Sequence, residues 1–166
     1  MSEKDWHMSH VYPNNSPVRR ILAESHLLQR YHESGLLMGI LQLVQETPSI
    51  EGHRRLEDGL IIVSDDKRSA LLGHGKAAEI IINVILPFVF SWKSDSLEAR
   101  LAEKALKLYL NYPRLAENEI TRHMATQLCL QRSSHSTACR QQGLIHIFRN
   151  YCSQGNCSQC PLLNQG

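Results

Sequence analysis

Eleven residues from Ile80 to Phe90 are apolar except at Asn83 and Pro87, and this run constrains the fold more than any other feature. It reads as one buried helix from Gly75 to about Trp92. Proline lacks an N–H and presses on the carbonyl four residues back, so a kink is expected at Pro87. That carbonyl belongs to Asn83, whose side-chain amide is expected to satisfy the broken bond or to face a ligand.

Further helices follow from their start and stop signals. Ser16 as N-cap and Pro17 at the first helical position open a helix with an apolar stripe at Val18, Ile21, Leu22, Leu28 and Tyr31, closed by Gly35. A second runs from Leu36 to Gln45, stopped by Pro48; it is apolar nearly all round and is expected to lie inside. Residues 48–58 are polar and read as loop. Leu60-Ile61-Ile62-Val63 is the one strand candidate, with no evident partner. Asp95-Ser96-Leu97-Glu98 resembles a capping box and opens a helix closed by Asn111 and Pro113. A fifth helix is expected from Glu119 to Leu130, and a sixth from a Ser136 or Thr137 cap to about Tyr151, with Leu144, Ile145, Phe148 and Tyr151 buried. The chain thus reads as mostly α: a polar segment over 1–15, a compact bundle of about six helices over 16–151 with one short strand or extended segment, and a cysteine knuckle and tail over 152–166.

With 42% hydrophobic residues, 20% charged residues and a net charge of +2, the chain is neither disordered throughout nor a polycationic coat. No uninterrupted apolar run reaches the roughly 20 residues of a membrane span, so no membrane partner is expected. The start Met1-Ser2-Glu3-Lys4-Asp5 lacks a signal pattern, which makes the cytoplasm the expected location.

Three of the five cysteines, Cys152, Cys157 and Cys160, fall within nine residues, a spacing that suits metal chemistry better than a disulfide framework. Zinc takes four ligands tetrahedrally, and the same spacing occurs in plant-type iron–sulfur ligation, so zinc, an iron–sulfur cluster and a metal-free reduced turn all stay open. Cys139 is the obvious fourth ligand, but thirteen residues of unbroken helix would hold it about 20 Å from Cys152. Antiparallel pairing of the last two helices puts His123 about opposite Ile147, which makes His123 and His146 the alternatives.

Candidate anion or nucleic-acid contacts are Arg19, Arg20, Lys76 and Arg140. Gly73-His74-Gly75-Lys76 opens a helix whose N–H groups can hold a phosphate, but Ala70 stands where a P-loop needs glycine, and no Ser or Thr follows Lys76. Residues 112–166 carry five arginines and no lysine, a balance of +3, which allows phosphate contact there but reads more simply as scattered solvated or capping arginines. Asp65-Asp66-Lys67, with Asp58 upstream, has the carboxylates and lysine of a Mg²⁺-dependent nuclease but reads more simply as an ordinary solvated loop. No Ser–His–Asp, Cys–His or paired-Glu spacing is present, so no catalytic activity is expected of this chain alone.

Three ordered stretches carry a family resemblance: Pro13-x-Asn15-x-Pro17-x-Arg19-Arg20; Leu72-Gly73-x-x-Lys76-Ala77-x-x-Ile80-x-x-Asn83-x-x-Leu86-Pro87; and Arg140-Gln141-Gln142-Gly143-Leu144 followed by Cys152, Cys157 and Cys160. Together they resemble the C-terminal half of a bacterial family catalogued as domain of unknown function 2851, with Tyr12 where that family usually has arginine. The resemblance implies longer relatives with a nuclease-like N-terminal part. On it, the chain is expected to be a non-catalytic accessory module of a nuclease-like protein, with a structural metal and nucleic-acid contact. The alternative is a helical interaction scaffold that docks the missing N-terminal half or a partner subunit.

Overall fold

The apolar run becomes the central helix of the computed structural model, which describes residues 16–64, 69–92, 96–131 and 136–163. In chain order the elements are α1 (Pro17–Arg30), α2 (Leu36–Glu46), α3 (His53–Leu60), β1 (Ile62–Val63), β2 (Ala70–Leu72), α4 (His74–Ser91), α5 (Ser96–Asn111), α6 (Glu119–Gln127) and α7 (Ala138–Asn150). Two 3₁₀ turns, Cys152–Gln154 and Cys157–Gln159, follow α7. The mostly helical architecture is as the sequence predicts, with seven helices rather than six among the described residues. The Asp65-Asp66-Lys67 loop, the Asp95 cap, His135, Arg132 and the motif residues Pro13 and Asn15 lie outside them.

In α4 a π-helical turn over Ile81–Ile85 stands where the sequence predicts a kink, with the Leu86 N–H bonded to the Ile81 carbonyl. The extra residue in a π-turn shifts the carbonyl that the Pro87 ring would otherwise crowd. The Asn83 amide donates to the Glu79 carbonyl at 2.8 Å. It therefore satisfies a backbone group at the entry to the wide turn, not the one beside the proline.

Ala77, Ala78, Ile81, Ile82, Ile85, Leu86 and Val89 of α4 are buried in one cluster with Ile40, Leu41 and Val44 of α2, Leu56 and Leu60 of α3, and Ala105, Leu108 and Tyr112 of α5. Each large apolar side chain so buried contributes roughly 1.5–3 kcal/mol. At 18 residues α4 is also long and apolar enough, by length and composition, to cross a membrane; counting uninterrupted apolar residues misses this. Its seven buried side chains are those of a core helix.

Two expectations are corrected around residue 60. Residues 53–60 are helical, not loop: Leu56 and Leu60 stand one turn apart and are 0% and 1% exposed. The strand does have a partner, since β1 pairs antiparallel with β2, Ile62 opposite Leu72 and Val63 opposite Ala70 with an irregularity between. Ala70-Leu71-Leu72 escapes notice because it leads directly into the α4 pattern.

α2 is less enclosed than its composition suggests. Gly39, Ile40, Leu41 and Val44 are buried, whereas Leu36, Leu37 and Met38 in its first turn are exposed. At Gly39 a Cβ would lie 2.2 Å from Tyr31 Cδ1, and the Tyr31 hydroxyl is tied to the Gly59 carbonyl at 3.0 Å, so the ring cannot yield freely. Gly39→Ala is therefore expected to destabilise the chain by about 1–3 kcal/mol, as overpacking does, although alanine is the better helix former. Urea unfolding of the two proteins checks this.

Candidate functional site

α1 is capped as expected, the Ser16 hydroxyl accepting from the Arg19 N–H with Pro17 in the first turn. Its orientation is the surprise. Val18, Ile21, Leu22 and Leu28, which the periodicity assigns to the core, are 52%, 52%, 44% and 55% exposed. The other side of the helix faces the body: Ala23 is buried, and Leu27 and Tyr31 pack on the core.

Arginines make this inversion work. Arg19 Nη2 donates to the Ala70 carbonyl at 2.8 Å and the Ser69 hydroxyl at 3.3 Å. Arg30 donates to the carbonyls of Asp58 at 3.3 Å, Gly59 at 2.9 Å and Ile61 at 2.7 Å. The last carbonyls of a helix have no donor within it and carry its negative dipole end, so the C-terminus of α3 is a natural seat for a guanidinium. α1 is thus held by the packing of Ala23, Leu27 and Tyr31 together with the arginine hydrogen bonds, and the stripe of Val18, Ile21, Leu22 and Leu28 is turned outward.

Two of the four candidate anion contacts share a cavity. Arg19 is committed to Ser69 and Ala70. Arg20 and Lys76 line a cavity of about 310 Å³ together with Glu24, Leu27, Leu72 and Ile80, and Lys76 pairs with Glu79. Arg140 is on α7, in its first turn. Of the resemblance motifs, the second and third do meet: Gln142 Nε2 donates to Asn83 Oδ1 at 3.1 Å.

The three clustered cysteines converge on one small hollow of about 110 Å³, shared with Met124, Leu128, Ile147 and Tyr151. Cys157 is exposed, Cys152 half-buried and Cys160 buried, and all are free thiols. Because α7 is unbroken from Ala138 to Asn150, Cys139 is held about 20 Å away at 1.5 Å per residue and cannot join them. The predicted pairing of the last helices is present, with the His123 ring edge-on to Phe148 at 5.7 Å, but neither His123 nor His146 lines the hollow. His146 Nδ1 lies 3.2 Å from the Asn150 amide instead. Among the described residues no group of three or more His, Cys, Asp or Glu side chains is placed to hold a metal ion.

A polar cluster that sequence reading missed lies where α3 meets α4. Glu57 accepts from the Tyr112 hydroxyl at 2.7 Å, and its other oxygen is 2.9 Å from His74 Nδ1. Placing Glu57 in a loop hid it. Burial first, and the Glu57 carboxylate second, push the Tyr112 phenol far above its ordinary value of 10.0; burial also raises Tyr31 and Tyr109. Above about pH 10 an unfolded phenol ionises while its folded counterpart stays protonated, so the unfolded state then holds fewer protons and is favoured. Stability is therefore expected to be flat with respect to these groups below that pH and to fall above it, with a shallower fall in Tyr112→Phe. Unfolding free energies measured from about pH 8 to 11 check the sign.

Comparison of the chain with protein-family models, with curated proteins and with solved structures yields no match.

Proposed function

We propose that this chain is a helical docking module whose α1 receives an amphipathic helix of a partner protein. The observation that carries the reading is the outward apolar side of α1, at 44–55% exposure on all four large side chains, on a helix fastened from behind by Arg19 and Arg30. Scattered exposed apolar residues are ordinary; four of them aligned along one helix suit an interaction surface. Val18, Ile21, Ser25 and Leu28 are spaced 3, 4 and 3 apart along it, the seam into which a second helix packs.

Charge argues for a different chain as occupant. Antiparallel self-pairing on this seam would bring Glu24 towards its own copy near the two-fold axis, a like-charge contact, and parallel self-pairing would put Ser25 on Ser25 in the middle layer. A partner helix with an apolar seam and a lysine or arginine opposite Glu24 meets neither objection. The competing reading, a nucleic-acid module with a structural metal, would draw on Arg19, Arg20, Lys76 and Arg140, of which Arg19 is committed to Ser69 and Ala70 and Lys76 pairs with Glu79.

A fluorescent synthetic helix about three heptads long, with Leu and Ile on its seam and lysine beside it, tests the proposal. It is expected to bind the chain saturably and about tenfold more weakly to Ile21→Glu/Leu28→Glu. Equal binding by parent and variant, or by a scrambled peptide, would overturn the reading. A short DNA duplex bound equally by both proteins, with steep salt dependence, would transfer the function to the cations.

A further inference from the structure

The Cys157–Cys160 turn has a division of labour that a purely structural cysteine cluster does not need. We infer that these two residues form a reactive dithiol, with Cys157 as the attacking thiol and Cys160 as the resolving one, that closes to a disulfide by exchange with a small disulfide such as oxidised glutathione.

Geometry permits closure without moving α7. The Cys160 N–H bonds to the Cys157 carbonyl at 3.1 Å, so the four residues form a hydrogen-bonded turn, whose end Cα atoms lie within about 7 Å. Disulfides span about 4.4–6.8 Å between Cα atoms. Both cysteines line the same hollow, which places them around a common space. Accessibility then assigns the roles. Cys157 is open to solvent, whereas Cys160 is 6% exposed, so an external disulfide reaches the first and not the second. Cys152, half-buried in the preceding turn beyond Gly155, is the rival resolving thiol. The loop that such a disulfide closes is only four residues long, at the short end of the loop-closure scale, so the bond is chemical in purpose and adds little to the fold.

The exchange balances as follows. The Cys157 thiolate, its proton lost to solvent, attacks one sulfur of oxidised glutathione; the S–S bond breaks and one glutathione thiolate leaves and is protonated. The Cys160 thiolate then attacks Cys157 Sγ, breaking the mixed disulfide and releasing the second glutathione. Two protein thiols are oxidised, and one disulfide is reduced to two thiols.

The test uses the full chain, reduced, desalted without oxygen, treated with oxidised glutathione, quenched in acid and mapped by mass spectrometry after alkylation. The expected result is loss of two hydrogens at a disulfide between Cys157 and Cys160, with no glutathione retained on either. Cys160→Ala, which keeps the buried position apolar, is expected to trap glutathione on Cys157. Cys157→Ser is expected to leave Cys160 unmodified over the same time. Cys129, exposed on a separate turn, gives the internal rate standard. Glutathione that stays on Cys157 in the parent, or a disulfide that maps to Cys152, would overturn the proposal. So would thiols that react only after a chelator is added, because they would then be ligands of a thiophilic metal.

Discussion

Leu56→Ala is expected to lower the unfolding free energy by about 2–5 kcal/mol, the largest effect of any single truncation in this account. Leu56 is 0% exposed and belongs to the central cluster with the α4 residues. Deleting its isopropyl group forfeits the transfer free energy of three carbons and leaves a void that close-packed neighbours fill only in part. The consequence reaches α1. Leu56 and Leu60 anchor α3, and the carbonyls of Asp58 and Gly59 in α3 are the seat of Arg30. Loss of α3 would therefore loosen the helix that carries the proposed docking face. Urea unfolding checks the magnitude, and hydrogen exchange at α1 amides checks the transmission. A cost below about 1 kcal/mol would return residues 53–60 to the surface loop that their composition suggests.

The second large effect is expected at Gln141, a buried polar side chain 2% exposed. Its Oε1 accepts from the Leu115 N–H at 2.7 Å and its Nε2 donates to the Leu115 carbonyl at 3.1 Å. One amide thus satisfies both backbone groups of a segment that has no ladder of its own. Gln141→Leu keeps the volume and abandons both groups, at about 1–3 kcal/mol for each. Gln141→Glu still offers an acceptor to the N–H but sets a carboxylate against the carbonyl, so it is expected to be no better. Amide exchange at Leu115 reads the same event locally: protection of its N–H is expected to fall in Gln141→Leu, and its retention there would contradict the role assigned to the amide.

Much of the architecture is legible because its punctuation is local. Ser16 and Pro17, Gly35 with its φ of +75°, and Thr137 accepting from the Arg140 N–H mark boundaries that any chain with those residues would respect. What fails is information that depends on partners. α3 has only Leu56 and Leu60 among charged neighbours, too few to define a period. The Pro87 kink is resolved as a π-turn because a helix can redistribute one residue. Facing is the deepest failure. An apolar stripe ordinarily reports the buried side of a helix, but on α1 the opposite side carries Ala23, Leu27 and Tyr31 for the core and Arg19 and Arg30 for distant carbonyls, which together favour burying that side instead. The cysteine spacing likewise shows that three thiols are near one another in sequence; that one is open, one half-covered and one closed is a property of the folded turn.

The most direct test of the docking proposal is carbene footprinting of the free chain and of the chain saturated with the synthetic helix, quantified residue by residue along α1. Strong labelling is expected of Val18, Ile21, Leu22 and Leu28 in the free chain, with little on Ala23, and protection of those four alone when the helix is added. Four unlabelled side chains in the free chain would show that the stripe is already buried. Strong labelling unchanged by the helix would show that the face receives no partner of this kind.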